Sequence, residues 1–230
     1  MTALIPQALL LDFGSVISVS LFERHRDTEA ELGLQPGSLR WRGPIAPETD
    51  ALWQAMQRDE ISERDYWAQR ARELGQAVGQ PQWDMLAMLT RLRHTDPNAV
   101  VRPGIRRLVQ AAHGAGLKLG ILSNELELFY GAEFLARMDI LRDMQVIVDA
   151  THTQVLKPDP RAYAMAVQQL ALPAARVLFV DDQFRNIAGA QRAGLQSQFF
   201  DLRDVDGSIA AVAARLRLPL ADLEEIACAA

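Results

Sequence analysis

Five apolar runs of strand length punctuate the chain: ALLLD at 8–12, LKLGILSN at 117–124, MQVIVDA at 144–150, RVLFVDD at 176–182 and SQFFD at 197–201. They alternate with segments of helical spacing, and runs of this kind are covered on both faces, so they predict a parallel sheet with helices packed on either side. In RPGIRRLVQAAHGAG, Pro103 suits the first helical turn, Ile105, Leu108, Val109 and Ala112 share one face, and Gly114 or Gly116 ends the helix. In KPDPRAYAMAVQQL, Asp159 is the expected N-cap with Pro160 at the first helical position, and Tyr163, Val167 and Leu170 form the buried stripe. Both read as crossover helices of a doubly wound α/β chain.

Residues 18–99 break this rhythm, because they contain no buried strand and read as helical. In SERDYWAQRARELG, Ser62 and Asp65 fit a capping box, Trp67, Ala71 and Leu74 repeat at helical spacing, and Gly75 suits the C-terminal cap. The expected organisation is a core of residues 1–17 and 100–230 interrupted by a helical insertion at 18–99.

The composition is 49% hydrophobic and 23% charged, as in an ordinary globular protein. A net charge of -5 with scattered basic residues leaves no footprint for nucleic acid or an anionic membrane. The single cysteine, Cys228, excludes an intrachain disulfide and fits a reducing, cytoplasmic setting. The apolar N-terminal run lacks a basic start and carries Asp12 in its middle, so it reads as a strand and its loop, not a signal segment. No stretch is long enough for a membrane helix, and the chain is compatible with a monomer or a homodimer.

Ligands of open parallel sheets sit beyond the carboxyl ends of the strands. Asp12 follows the first run, Ser123 and Asn124 the second, Lys157 opens a crossover helix after the third, and Asp181 with Asp182 follows the fourth. Each alone has an ordinary reading as a turn, a cap or a solvated loop residue. Together they suit phosphoryl transfer. Asp12 and the acidic pair can hold a hard cation such as Mg²⁺, and Ser123, Lys157 and the backbone amides after Asp12 can meet phosphoryl oxygens. Asp12 can attack phosphorus and carry it as an aspartyl phosphate.

The stretches DFGSV, LGILSN, LKPDPRAY and VLFVDDQFRNIAGAQRAG carry these residues, and through them the chain resembles the haloacid dehalogenase-like hydrolase superfamily from end to end. The resemblance implies a Rossmann-like core with a helical cap after the first strand. Bacterial receiver domains use a similar kit, but there the acidic pair comes first. By the resemblance, Asp12 is nucleophile and metal ligand, Phe13 and Gly14 belong to the phosphate-binding loop, and the Gly14 carbonyl reaches the metal. Ser123, Asn124 and Lys157 hold phosphate, Asp182 is a direct metal ligand with Asp181 as its acidic neighbour, and Asn186 stands where an Asp often orients metal water. Gly189, Ala190, Ala193 and Gly194 let the next helix pack closely. The implied substrate is a small phosphorylated metabolite.

One residue departs from the pattern. The usual first motif is Asp-x-Asp-Gly, whose second Asp protonates the leaving oxygen and later activates water, and here that position is Gly14. A phosphatase that reassigns the proton remains the leading expectation, since general acid–base work contributes roughly 10²–10⁴ in rate. The chain looks closest to an Asp-x-Gly-x-Val branch that includes α-glucose-1-phosphate phosphatases, so a sugar phosphate is one expected substrate. The alternatives are a non-catalytic phospho-ligand or protein-binding homologue and a 2-haloacid dehalogenase, which needs no metal and no acidic pair. Arg40, Trp41, Arg42, Trp53 and Glu60 are candidate substrate contacts on the insertion, whereas Tyr66 and Trp67 read as helix packing. Ser15 and Ser18 read as loop caps, and among His25, His94, His113 and His152 the nearest to the nucleophile in sequence, His25, is the candidate stand-in for the absent acid.

Overall fold

The computed structural model describes residues 4–92 and 94–219; Cys228 lies outside the described residues. The strands β1 (Ala8–Leu11), β2 (Lys118–Ser123), β3 (Val146–Asp149), β4 (Val177–Asp181) and β5 (Gln196–Phe199) form one parallel sheet in the order β3-β2-β1-β4-β5. The first four lie within the apolar runs that announce them, and β5 starts one residue before its run and ends two residues short of it. Period-two alternation divides the strand residues between two apolar layers. Leu9 and Leu11 join Leu119, Ile121, Leu178 and Val180 on one face, while Ala8 and Leu10 join Leu122, Val148, Val177 and Phe179 on the other.

Between β1 and β2 run α1 (His25–Glu31), α2 (Ala51–Gln57), α3 (Glu63–Ala77) and α4 (Met85–Leu92), followed by the crossover α5 (Pro103–Gly114). After β2 come the short helices α6 (Leu126–Tyr130) and α7 (Ala132–Leu135), and after β3 come α8 (Ala150–Thr153) and α9 (Pro160–Leu170). Then α10 (Phe184–Arg192) follows β4 and α11 (Val205–Leu216) follows β5. Residues of α5 and α11 cover the first apolar layer, and residues of α9 and α10 the second. As expected, Asp159 caps α9 by accepting from the Arg161 amide at 2.9 Å. Among the described residues, no helix is long and apolar enough to cross a membrane.

The α1–α4 segment has its own core, built from Phe22, Trp53, Met56, Tyr66, Trp67 and Leu74 with their neighbours. Buried Asp50 pins it by accepting from the Trp53 amide and the Tyr66 hydroxyl, both at 2.9 Å, while pairing with Arg70. The Ser62–Asp65 capping box starts α3 as expected. Gly75 does not end that helix, which continues to Ala77. A side chain at Gly75 would collide with the Gln80 carbonyl and Trp83, so it is the close approach of the following turn that demands glycine there.

Candidate active site

Strand order turns at the β1/β4 boundary, with β2 and β3 built outward on one side and β5 on the other, which makes this the topological switch point of the sheet. Asp12 leaves β1 there, its amide still donating to the Val180 carbonyl at 2.9 Å. The next residues form a tight irregular turn in which Ser15 takes a left-handed backbone, φ 66. A non-glycine residue in that region costs about 1–3 kcal/mol and persists only where its surroundings enforce it. Arg102 enforces it: Nε and Nη2 donate to the Ser15 carbonyl at 3.0 and 2.9 Å, and the same guanidinium pairs with Glu23. Arg102 precedes the Pro that starts α5, and the sequence reading passes over it because its partners lie 79 and 87 residues away.

Lys157 is fully buried, and its ammonium lies 2.8 Å from Asp12 Oδ1 and 2.7 Å from Asp181 Oδ2. Asp181 also accepts from the Gln183 amide at 2.8 Å and from Asn186 Nδ2 at 3.1 Å, so it is a saturated anchor. Asp182 takes part in none of these bonds and lines the cavity beside Asp12. Ligand oxygens of Asp12, Asp181 and Asp182 all lie within 4.8 Å of one another. Burial, with Asp181 and Glu63 nearby, pushes the Asp12 carboxyl up to about 7 against the pull of Lys157. Burial and the facing Asp181 and Asp12 carboxylates likewise raise Asp182 well above the usual range. Lys157 is held charged despite its burial by Asp12 and Asp181. Three buried carboxylates around one ammonium leave surplus negative charge in an all-oxygen donor set, which fits a hard divalent cation.

Ser123 ends β2 opposite Asp149 of β3 and lines the same cavity. Asn124 is more constrained than the sequence suggests. Its Oδ1 accepts from the Lys157 amide at 2.7 Å, and its Nδ2 donates to Glu63 Oε2 at 2.8 Å and to the Lys157 carbonyl at 3.3 Å. The neighbouring Arg64 Nε donates to Glu125 Oε1 at 2.7 Å. Glu63 and Arg64 thus dock the first turn of α3 on the ends of the core strands.

Above Asp12 lies a cavity of about 280 Å³. Asp12, Gly14, Ser123, Asn124 and Asp182 line it on the core side, and Phe22, Trp53, Trp67, Leu89, Leu92 and Phe129 supply apolar walls. Of the proposed substrate contacts on the insertion, Trp53 alone lines this cavity. Arg40 and Trp41 border a separate depression with Arg70 and Leu74, Arg42 is exposed, and Glu60 pairs with Arg58 at 2.7 Å. Trp67 is a wall residue as well as a packing residue, its ring 5.6 Å from Phe129 across the two layers.

His25 is not at the site. It is buried in the α1–α4 core with its ring 4.3 Å from that of Trp41, and burial with the nearby Arg42 charge lowers its imidazole to about 4. His94 borders the cavity instead, His113 faces Asp143 at 3.5 Å and His152 faces Glu127 at 3.0 Å. Asn186 is tied to Asp181, and Gly189 approaches Tyr163 so closely that a Cβ there would lie 2.6 Å from the phenol oxygen. Besides Arg102, sequence reasoning misses Glu63. Its only signal is a carboxylate at the first position of a capped helix, which is an ordinary helix-dipole placement.

Residues 7–194 match the family model of the haloacid dehalogenase-like hydrolases. The N-acetylmuramic acid 6-phosphate phosphatase of Pseudomonas aeruginosa is 29% identical over 167 residues, covering 66% of this chain and 74% of that protein. The phosphoglycolate phosphatase of Salmonella typhimurium is 26% identical over 170 residues, covering 67% of each. Other curated phosphatases are matched over less than half their length. The crystal structure of the putative HAD-hydrolase YfnB from Bacillus subtilis superposes with a TM-score of 0.69 at 15% identity, covering 93% of this chain and 99% of that one.

Proposed function

Because this chain belongs to the haloacid dehalogenase-like hydrolase family, we propose that it is a Mg²⁺-dependent phosphomonoester hydrolase acting through a phospho-aspartate at Asp12. The observation that carries the reading is the Lys157 ammonium held between Asp12 and Asp181 at the switch point of the sheet. Asp12 attacks phosphorus, the ester oxygen leaves, and water then opens the acyl phosphate. Lys157 offsets the charge of the nucleophile and of the transferring group, and Ser123 with the Phe13 and Gly14 amides receives phosphoryl oxygens. Asn124 fixes the Lys157 backbone. Asp12, the Gly14 carbonyl and Asp182 would hold Mg²⁺, with Asp181 behind them. When bound there, the cation supplies charge neutralisation for the phosphoryl oxygens.

In this reading residues 18–99 are a cap over the core of 1–17 and 100–230, and the closed interface excludes water. The substrate is a small phosphorylated metabolite presenting an apolar face to Trp53 and Trp67, as the C–H face of a sugar ring does. The two curated relatives, whose names specify a phosphosugar and a phospho-acid as substrates, support the phosphoryl class. The test is phosphate release from a panel of aryl, sugar and carboxylic-acid phosphates, with Mg²⁺ and with chelator, for the wild type beside Asp12→Asn. Metal-dependent release that disappears in the variant is expected. A folded wild type that binds phosphate but releases none from any ester would overturn the reading in favour of a non-catalytic binding protein.

A further inference from the structure

The proposed reaction needs a group that gives a proton to the leaving oxygen and takes one from the attacking water, and Gly14 cannot supply it. Packing does not forbid a carboxylate at that position, since nothing lies within 4 Å of an ideal Cβ built on Gly14. The space opens into the cavity above Asp12, and another carboxylate borders that cavity from the opposite layer.

We infer that Glu63, carried by the first turn of α3, is the general acid–base of this site and replaces in space what Gly14 removes from the first motif. The inference rests on the phosphomonoesterase reading above. Its geometric basis is threefold. Glu63 lines the cavity together with Asp12, Gly14 and Asp182. Its Oε2 is held by Asn124 Nδ2 at 2.8 Å, which fixes the carboxyl group at the core surface. The helix start that carries it is tied down by the Ser62–Asp65 capping box and by Arg64, whose guanidinium donates to the Glu125 carboxylate and the Ala150 carbonyl.

Of the other titratable groups on the cavity, Asp27 and His94 are exposed, Asp27 facing Arg24 at 3.9 Å. Glu125 is the real competitor: Arg64 engages one oxygen, Oε2 is buried without a hydrogen-bond partner, and burial raises the carboxyl to about 7, so the Glu125→Gln control decides between the two. His25 is withdrawn into the α1–α4 core. Mounted on the segment that closes over the strand ends, Glu63 brings the acid with the lid.

The chemistry balances in two steps. Asp12 Oδ forms a bond to phosphorus as the P–O bond to the leaving group breaks, and the neutral Glu63 carboxylic acid gives its proton to the departing oxygen, releasing an alcohol and leaving Glu63 as carboxylate. Water then bonds to phosphorus while Glu63 takes its proton, the P–O bond to Asp12 breaks, and inorganic phosphate leaves with Asp12 and Glu63 restored.

The leaving group separates this role from simple docking of the cap. Glu63→Gln keeps an oxygen that accepts from Asn124 but cannot transfer a proton. With Mg²⁺ present, kcat/KM of this variant is expected to fall about 10²-fold or more on alkyl phosphates, whose alkoxides need protonation, and less than tenfold on 4-nitrophenyl phosphate, whose leaving group does not. On the aryl ester a burst of about one nitrophenolate per enzyme should precede slow turnover, because the second step still lacks its base. Formate should restore part of the alkyl-phosphate rate to Glu63→Ala. Equal losses on both ester classes, or no loss, overturn the assignment, as does the appearance of this leaving-group signature in Glu125→Gln instead. If the wild type itself hydrolyses no ester, or Asp12→Asn keeps wild-type turnover, the phosphomonoesterase reading fails and takes the assignment with it.

Discussion

His25→Phe should flatten the acid dependence of stability without removing turnover. In the folded chain the imidazole is 5% exposed, packs edge-on against Trp41 and Phe22, and has both ring nitrogens buried without hydrogen-bond partners. Burial lowers its pKa from 6.5 to about 4, with Arg42 and Arg70 adding to the effect and Glu29 and Asp50 opposing it. The sign follows from proton uptake. Below about 6.5 the unfolded chain binds a proton that the folded chain refuses until about 4, so stability is intact above that window and lost as pH falls through it. At 1.36 kcal/mol per pKa unit the full loss is about 3 kcal/mol, of which about 2 kcal/mol is reached by pH 5. A phenyl ring removes the two orphaned nitrogens but strains the packing by about 1–3 kcal/mol. That packing contribution does not depend on pH, so it cancels in the comparison between pH 7 and pH 5. Urea unfolding followed by tryptophan fluorescence, at both pH values, should show the variant gaining about 2 kcal/mol on the wild type as the pH is lowered. Parallel curves would refute the buried, neutral imidazole, and loss of phosphate release in a stable variant would return His25 to the site.

Arg102→Met should lower stability by about 3 kcal/mol, because it leaves the Glu23 carboxylate and the Ser15 carbonyl without their partner, and it should also slow phosphate release by loosening the turn after Asp12. Thermal unfolding and steady-state kinetics check both effects, and an unchanged rate in a destabilised variant would restrict Arg102 to holding the fold. Mg²⁺ added to chelator-treated protein should raise the thermal midpoint more at pH 8 than at pH 6, since Asp12, raised to about 7, and Asp182, raised in the same direction, release protons as the cation binds. Asp182→Asn should abolish that shift, and a shift that ignores both pH and the substitution would place the cation elsewhere.

The core was largely legible in one dimension because its elements are signalled locally. A strand such as Ala8–Leu11 is announced by its own four residues, and α9 by the Asp-Pro pair that caps it. Gly75 misled because glycine has two uses, a chain reversal and a close approach, and only the position of Trp83 shows which one applies. The aromatic wall was half legible: Trp67 sits at helical spacing and packs as such, yet the same ring borders the cavity because the segment folds back over Phe129 of the core.

The site divides the same way. Asp12, Ser123, Lys157 and Asp181 could be read together because a parallel sheet delivers every strand end to one edge, so order along the chain becomes proximity in space. The groups that hold or complete that edge obey no such rule. Arg102 meets Ser15 across 87 residues, and Glu63 meets Asn124 across 61, through a segment whose placement depends on packing rather than register. A gap in a motif is therefore poor evidence of a gap in the chemistry. Gly14 removes a carboxylate from the strand-end loop, the capped start of α3 brings one to the same cavity, and only the folded chain shows that the two border one space.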